Sequence, residues 1–383
     1  MAAMPEHRPA RRPPPGRPGV VRRSRMALAV LAALSMGVAV ARGEDSQRQE
    51  RIPAAFVFWS VPDAAAQPGG DALQQLPFWH DPGFRGAMRL LQTEHHFDLV
   101  HYNLAEEDVP ARLEAAVASN AFAFILSKGC WHTPADKMMR STIIRRKAPG
   151  VKTGIFPACS SPPPADEETG KSIALAYDVV FYDKVWLAPT FAHHPLAVHA
   201  FGIDTPRTFN ASSGVAWGEA AKLFDYVSVG MLAPWKRHEN LVGMPGDAKL
   251  VVGYGWRSEA SSEIVSTLFT AGIAVWQRVA PARMCDVYRA SRRVYMGATE
   301  LGGGERVILE ARACGVPSDA IEIEADNAQL AEFIHGPIYA SSYYAAQFAK
   351  GIRAALSGEG GRGGEAPSQA EPTVPEPFKI SVR

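Results

Sequence analysis

The chain has 383 residues, of which 47% are apolar and 21% charged, and this composition is typical of folded α/β domains with sizeable cores. Its length predicts two domains of ordinary size plus tails. The formal net charge of +1 and the lack of a dense basic run after the N-terminus argue against nucleic-acid binding, so no nucleic-acid partner is expected.

Two segments precede the predicted domains. Residues 1–25 are rich in Pro and Arg without a periodic apolar face, and we expect a disordered basic leader. The apolar run that follows predicts a signal peptide or a membrane anchor over residues 26–42. A secretory or membrane-anchored protein is therefore favoured. A start at Met26 or an organelle-targeting leader is the alternative, which leaves a cytoplasmic or organellar location open.

The four cysteines lie far apart and form no CxxC pair, so the sequence supports neither a zinc site nor a disulfide framework. Cys314 is predicted to be a small core residue. A disulfide between Cys130 and Cys159 is compatible with export, but spacing alone does not establish it. Asn210 begins a glycosylation sequon, a triplet that also occurs by chance.

Residues 52–215 are predicted to form a first Rossmann-like domain, because strand and helix patterns alternate along them. Apolar runs predict strands at 54–59, 97–102, 121–126, 153–156 and 178–182, with helices at 84–91 and 109–119. Such alternation is typical of parallel βαβ units. The polar stretch 208–214 is interpreted as the linker to the second domain.

Residues 223–337 are predicted to form a second domain of the same kind. Strands are expected at 224–230, 249–254, 273–276 and 293–298, and helices at 236–242, 258–269, 281–289 and 326–334, with Ser258 as an N-cap. A helix over 338–356 is expected to cross back onto the first domain. Residues 357–383, rich in Gly, Pro and Glu, are expected to form a disordered tail.

The stretch Gly302–Pro317 joins a Gly-rich turn to a helix. Its three leading glycines allow a tight turn with exposed N–H groups, and Gly315 can end the helix in the left-handed conformation. A Gly-rich turn before a helix N-terminus is a natural anion site. An ordinary α/β crossover, with Glu310 paired to Arg306 one turn earlier, accounts for the same residues.

The motifs of the second half, in their order and spacing, resemble the group 1, or family 4, glycosyltransferases of the GT-B fold. The matching runs are Tyr226–Gly230 with Lys236 shortly after, Val251–Gly255, Tyr288–Ser291 and Leu309–Pro317. In the first half, His199–Asp204 resembles the family's hinge, and Pro68–Gly70 resembles its acceptor-side loop. The resemblance implies two Rossmann-like βαβ domains facing a cleft. It also implies transfer of a sugar, with retention, from a nucleoside-diphosphate sugar to a glycan, lipid or protein acceptor.

The resemblance further implies a donor site in the second domain. Lys236 would supply positive charge to the diphosphate, and the N–H groups of Gly303 and Gly304 would bind it. Glu310 would accept hydrogen bonds from the ribose hydroxyls. Met231 stands where the family usually has an arginine. Arg237 and Arg257 are the candidates to replace that arginine.

Two residues are candidates for catalysis. The family's earlier glutamate falls on Gly302, and Glu305 is the preferred substitute, although a capping role at the helix start accounts for Glu305 equally well. On the acceptor side His132 is the best counterpart of the family's histidine, with His101 second. A lone histidine beside aromatic residues is more often a packed or hydrogen-bonded residue than a catalyst.

No metal or other cofactor is predicted. The pair His193–His194 has no carboxylate at ligand spacing, and no Asp-x-Asp element stands at a strand end, so a metal-independent reaction is expected. Because Met231 and Gly302 replace charged residues of the family, a catalytically inactive GT-B-fold binding protein is the main alternative. A sugar-nucleotide epimerase shares the architecture, but the chain carries no motif for it.

Overall fold

The computed structural model describes residues 50–58, 82–104, 106–129, 150–157, 174–184, 187–205, 207–255, 258–277, 279–299 and 303–358. Within these ranges two sheets of parallel strands alternate with helices, which confirms the predicted α/β class with two Rossmann-like halves. The predictions for residues 1–25, 26–42 and 359–383 lie outside the described residues. So do those for Pro68–Gly70, Cys130, His132, Cys159, Arg257 and Gly302.

The central strands of the first sheet are buried on both faces, whereas the edge strand Phe97–Asn103 has exposed residues. Its strands are β1 Ile52–Phe58, β2 Phe97–Asn103, β3 Phe124–Gly129, β4 Lys152–Pro157, β5 Val179–Tyr182 and β6 Ala197–His199, and its helices are α1 Pro82–Thr93, α2 Val109–Ala118 and α3 Ala188–Phe191. The strand order is β2-β1-β3-β4-β5-β6 with every pair parallel. Helices cover both faces, which explains the continuous apolar run in β1.

The second sheet has the order β11-β10-β7-β8-β9, again with parallel pairs. Its strands are β7 Phe224–Met231, β8 Lys249–Tyr254, β9 Ala274–Gln277, β10 Ser291–Met296 and β11 Ile321–Ile323, and its helices are α4 Glu259–Thr270, α5 Met284–Arg289, α6 Glu305–Ala313 and α7 Ala331–His335. The strand order reverses between β7 and β10. In open α/β sheets such a reversal leaves a crevice beyond the carboxyl ends of the strands.

The C-terminal helix α8, Ser341–Ser357, packs on the first sheet, as predicted. The rings of Tyr344 and Phe348 each lie 5.9 Å from the ring of Phe84 in α1. Phe348 also lies 4.7 Å from Phe181 in β5. The chain therefore returns from the second sheet to complete the core of the first. Within the described ranges no helix is long and apolar enough to cross a membrane.

The helix predicted over residues 236–242 is wrong, because two 3₁₀ turns, Pro234–Lys236 and His238–Gly243, occupy this region. Arg237 between them has φ 48°, a left-handed conformation that interrupts helical geometry. His238 is buried and its Nε2 donates to the Met231 carbonyl at 3.0 Å, while Nδ1 lies 2.9 Å from the Ser228 hydroxyl. Burial lowers the pKa of His238 to about 4, so this histidine anchors the turn as a neutral ring.

Cys285 and Cys314 form a disulfide, which corrects the prediction that Cys314 is only a small core residue. Cys285 lies in α5 and Cys314 follows the last residue of α6, and both are buried. The two helices are neighbours because both pack on β10 and its surroundings, whereas the cysteines are 29 residues apart in the chain. Spacing alone could not reveal that contact.

Candidate functional site

A cleft of about 280 Å³ lies where the strand order of the second sheet reverses. Its walls come from the ends of β7 and β8 and from the N-terminus of α6. The first sheet contributes Asp183 and Lys184, which directly follow β5. The cleft thus lies at the carboxyl ends of parallel strands, the usual ligand position in this kind of sheet.

The Gly-rich turn shapes one wall of the cleft. Gly303 and Gly304 have φ of 67° and 142°, and a Cβ at Gly304 would lie 2.7 Å from the Met296 side chain. Only glycine fits both the conformation and the space at Gly304. The Gly304 N–H donates at 2.8 Å to the carboxylate of Glu305, the first residue of α6. The helix N-terminus therefore already holds a negative charge from its own chain.

Glu305 is completely buried and forms an ion pair with Lys184. Burial alone would raise the pKa of Glu305, but the charge and hydrogen bond of Lys184 outweigh it and hold this pKa below its usual value. Burial also opposes the charge of Lys184, whereas Asp183, 3.5 Å away, and Glu305 raise its pKa. Both partners are therefore charged, and the pair joins the two sheets across the cleft.

Lys236 is the second lysine of the cleft. Its methylenes lie against Gly230, where an added Cβ would be 3.4 Å from the Lys236 Cδ. Burial lowers the pKa of Lys236 to about 8. Glu305 opposes this shift, whereas Lys184 and Arg306 reinforce it. The floor of the cleft thus combines three cationic side chains with the Glu305 carboxylate.

Glu310 lines the same cleft from the next turns of α6. Its side chain is nearly buried, and one of its oxygens accepts a hydrogen bond of 3.0 Å from the Tyr288 hydroxyl. Burial and the Glu310 charge both raise the pKa of Tyr288, so the phenol stays protonated and remains a donor. The carboxylate is consequently held in one orientation at the cleft wall.

The structure brings together five of the predicted donor-site and catalytic residues, and these line the cleft: Lys236, Gly303, Gly304, Glu305 and Glu310. It separates Arg237 from them, because that guanidinium pairs with Asp326 at 2.6 Å and does not line the cleft. The other candidate cation, Arg257, and the acceptor-side candidate His132 lie outside the described residues.

Two histidines weighed from the sequence, His101 and His194, do not line the cleft. His101 is in β2 with its ring 5.7 Å from that of Phe56. The ring nitrogens of His194 lie 2.9 Å and 3.1 Å from the backbone oxygens of Leu196 and Tyr177, which explains its burial. In the part of the chain that the structure describes, no group of His, Cys, Asp and Glu side chains is arranged to hold a metal ion.

Sequence reasoning missed Lys184, although a signal for it exists. Asp183 and Lys184 are charged residues immediately after a buried strand of a predicted parallel sheet, the position where functional residues concentrate. Glu305, the partner of Lys184, is 121 residues further along the chain, so spacing gave no indication of the contact. Tyr288 lay within a recognised motif, but its bond to Glu310 depends on how α5 and α6 pack.

No known protein family matches the sequence, and no curated protein is similar to it in sequence. In fold it resembles AviGT4, a glycosyltransferase of avilamycin A biosynthesis, at 13% identity, TM-score 0.51, 80% of this chain and 98% of the other. The catalytic domain of starch synthase IV from Arabidopsis thaliana is 11% identical with a TM-score of 0.49, and the match covers 80% of this chain and 100% of that one. A UDP-N-acetylglucosamine 2-epimerase is 12% identical with a TM-score of 0.44, and the match covers 84% of this chain and 99% of that one. The likeness to AviGT4 confirms the GT-B glycosyltransferase-like fold.

Proposed function

We propose that the protein is a glycosyltransferase that takes its sugar from a nucleoside-diphosphate sugar bound in the cleft of the second sheet. The observation that carries this proposal is Glu310, a carboxylate fixed by Tyr288 at the cleft wall and close enough to Lys236 to line the same cavity. A fixed carboxylate suits two vicinal ribose hydroxyls, and the lysine suits a diphosphate. Both groups stand at the positions that the family resemblance assigns to these roles.

The cleft also supplies what such a reaction needs electrostatically. Breaking the bond between sugar and diphosphate leaves negative charge on the leaving group, and fixed cations in a partly buried site stabilise it. Lys184, Lys236 and Arg306 provide that charge without a metal ion. Metal independence and retention of the anomeric configuration belong to the proposal through the resemblance. The acceptor is a glycan, lipid or protein that enters from the side of the first sheet.

A catalytically inactive binding protein of the same fold is the second candidate. It is favoured by the Glu305 carboxylate, which accepts the Gly304 N–H and the Lys184 ammonium, donors that a phosphate would otherwise use. Met231 in place of the family's arginine points the same way. Turnover of a donor separates the two candidates, because only the enzyme releases nucleoside diphosphate.

Release of nucleoside diphosphate from one donor in a panel of UDP-, GDP- and ADP-sugars is the expected result for the wild-type protein.

Glu310→Gln is expected to weaken binding of that nucleoside diphosphate about 10- to 100-fold, because charge-assisted bonds to the ribose become neutral ones. Glu322→Gln is the matched control, since Glu322 also accepts from a tyrosine, Tyr226, but outside the cleft. No release from any donor, or equal affinity in the Glu310 variant, would contradict the proposal.

Donor affinity is expected to fall as the pH rises above about 8, because Lys236 then loses its proton. Burial gives the free protein a Lys236 pKa of about 8, and an anionic ligand raises this pKa in the complex, so the fall begins near pH 8 and levels off above the pKa of the complex. Calorimetric titrations between about pH 6.5 and about pH 9.5 measure this profile. Lys236→Arg stays charged and should give a flat profile. A flat wild-type profile would refute the role of Lys236.

We also infer that the protein folds in an oxidising compartment. The buried Cys285–Cys314 disulfide supports this inference, because disulfides persist in secreted and lumenal proteins and are rare in the cytosol. The apolar segment 26–42, predicted as a signal peptide or anchor, supports the same location from the sequence.

A further inference from the structure

We propose that the donor's diphosphate is held between Lys184 of the first sheet and Lys236 of the second, and that Glu305 is an internal anion which the diphosphate displaces. This inference rests on the proposed function and names the groups that bind the phosphates. It assigns a ligand contact to Lys184, which lies in the half of the molecule expected to bind the acceptor.

At the end of β7 the second sheet lacks the second cation that the family resemblance places beside Lys236. A diphosphate needs more than one positive partner, and Met231 occupies the position where a second one is expected. Arg237, the nearest substitute in sequence, is paired with Asp326 instead. Lys184 fills the gap in space, since its side chain is only 13% exposed and lines the same cleft as Lys236.

The Lys184 ammonium lies beside the Gly-rich turn. A Cβ built on Gly303 would lie 3.4 Å from the Lys184 Nζ, so this charge sits directly against the Gly-rich turn. Lys184, Lys236 and Glu305 line the same cleft, and both lysines act to lower the pKa of this carboxylate. An anion at that place therefore interacts with both ammonium groups at once.

Glu305 accepts from the same kinds of donor that a phosphate uses. Its two oxygens accept from the Lys184 ammonium and from the Gly304 N–H, a cation and a helix N-terminal amide. These are the two kinds of donor that bind phosphate oxygens at helix N-termini. Glu305 thus occupies an anion position in the free protein. A diphosphate carries more charge than a carboxylate, so it competes with Glu305 for both donors.

Opposite effects of two substitutions on anion affinity test this inference. In titrations of the full-length protein with inorganic pyrophosphate, Lys184→Ala is expected to weaken binding about tenfold or more, because one charged partner is lost. Glu305→Gln is expected to tighten binding about three- to tenfold, because the competing anion is gone. A role of the ion pair in folding alone would not give a tighter complex.

Lys152→Ala is the matched control, since Lys152 pairs with Asp178 at 3.0 Å in the same sheet but outside the cleft. The Lys152 variant should bind pyrophosphate as tightly as wild type does. If Glu305→Gln does not fold, the neutral pair Lys184→Met/Glu305→Gln replaces it and is expected to bind more weakly than wild type. The nucleoside diphosphate that binds best among UDP, GDP and ADP should show the same loss in Lys184→Ala, whereas its nucleoside should show none.

The inference is overturned if wild type binds no pyrophosphate, if Lys184→Ala binds it as well as wild type does, or if Glu305→Gln folds and binds it no more tightly. These outcomes are separate from the fate of the proposed function, because pyrophosphate binding requires no sugar transfer. Donor turnover that is independent of Lys184 would retain the glycosyltransferase and refute the two-lysine site. If the pyrophosphate affinities change as expected but no donor is turned over, the two-lysine site is retained and the glycosyltransferase is refuted.

Discussion

Lys236→Met is expected to give a protein that is more stable than wild type at pH 7 and at least about a hundredfold slower in donor turnover. Burial lowers the pKa of Lys236 from 10.5 to about 8, which means that the folded protein pays for carrying this charge. With allowance for partial exposure, removing the charge should raise the free energy of unfolding by about 1–2 kcal/mol. Methionine has a similar shape and fills the space without that charge.

The pH dependence of this gain has a defined sign. Because the folded pKa of Lys236 is below the unfolded one, the unfolded chain binds more protons between pH 8 and 10.5. Wild-type stability from this group therefore rises with pH across that window, and the advantage of the Met variant shrinks. Below pH 8 the advantage is present in full. Urea unfolding at several pH values measures it.

Lys249→Met provides the control for turnover. Lys249 is also a buried lysine of the second sheet, but its ammonium donates to the Met244 carbonyl at 2.5 Å and does not line the cleft. Its substitution should leave the turnover rate unchanged. A Lys236 variant that turns over donor at the wild-type rate would remove Lys236 from the site, and one that is less stable would contradict the penalty assigned to its charge.

The regular elements could be predicted because their signals are local. The strand over 249–254 is observed with the predicted bounds, and Ser258 caps α4 by accepting the Ser261 N–H at 3.1 Å. The short strands β6 and β11 were missed, since three residues carry too little pattern to separate strand from loop. Local patterns thus gave the framework of both sheets.

The predictions that failed concern features that depend on contacts between distant residues. The 236–242 segment has a helix-forming sequence, but burial of His238 against Ser228 and Met231 imposes another conformation. The Lys184–Glu305 ion pair depends on how the two sheets meet, which no spacing encodes. The site was therefore predictable where one motif contains it, as with Gly303, Gly304 and Glu310, and unpredictable where the other sheet completes it.

The disulfide is expected to contribute about 3 kcal/mol to the free energy of unfolding, because it closes a loop whose ends are separated by 29 residues. Cys285→Ala/Cys314→Ala should lose this amount in urea unfolding without reductant. Dithiothreitol should then destabilise wild type by a similar amount and leave the double variant unchanged. The variant itself is the matched control for the reductant, since it lacks the bond but keeps the buried packing nearly intact.

The same substitution should also weaken the donor complex. The disulfide joins α5 to the end of α6. Tyr288 in α5 donates its hydroxyl hydrogen bond to the carboxylate of Glu310 in α6. A looser junction lets the carboxylate leave its orientation, so we expect nucleoside-diphosphate affinity to fall several-fold, by about 1 kcal/mol. Both cysteines are buried, so reductant must wait for local opening, and the loss should develop slowly. A reduced protein as stable as the oxidised one would contradict the stability expected from the disulfide, and unchanged nucleoside-diphosphate affinity in the double variant would contradict its role at the site.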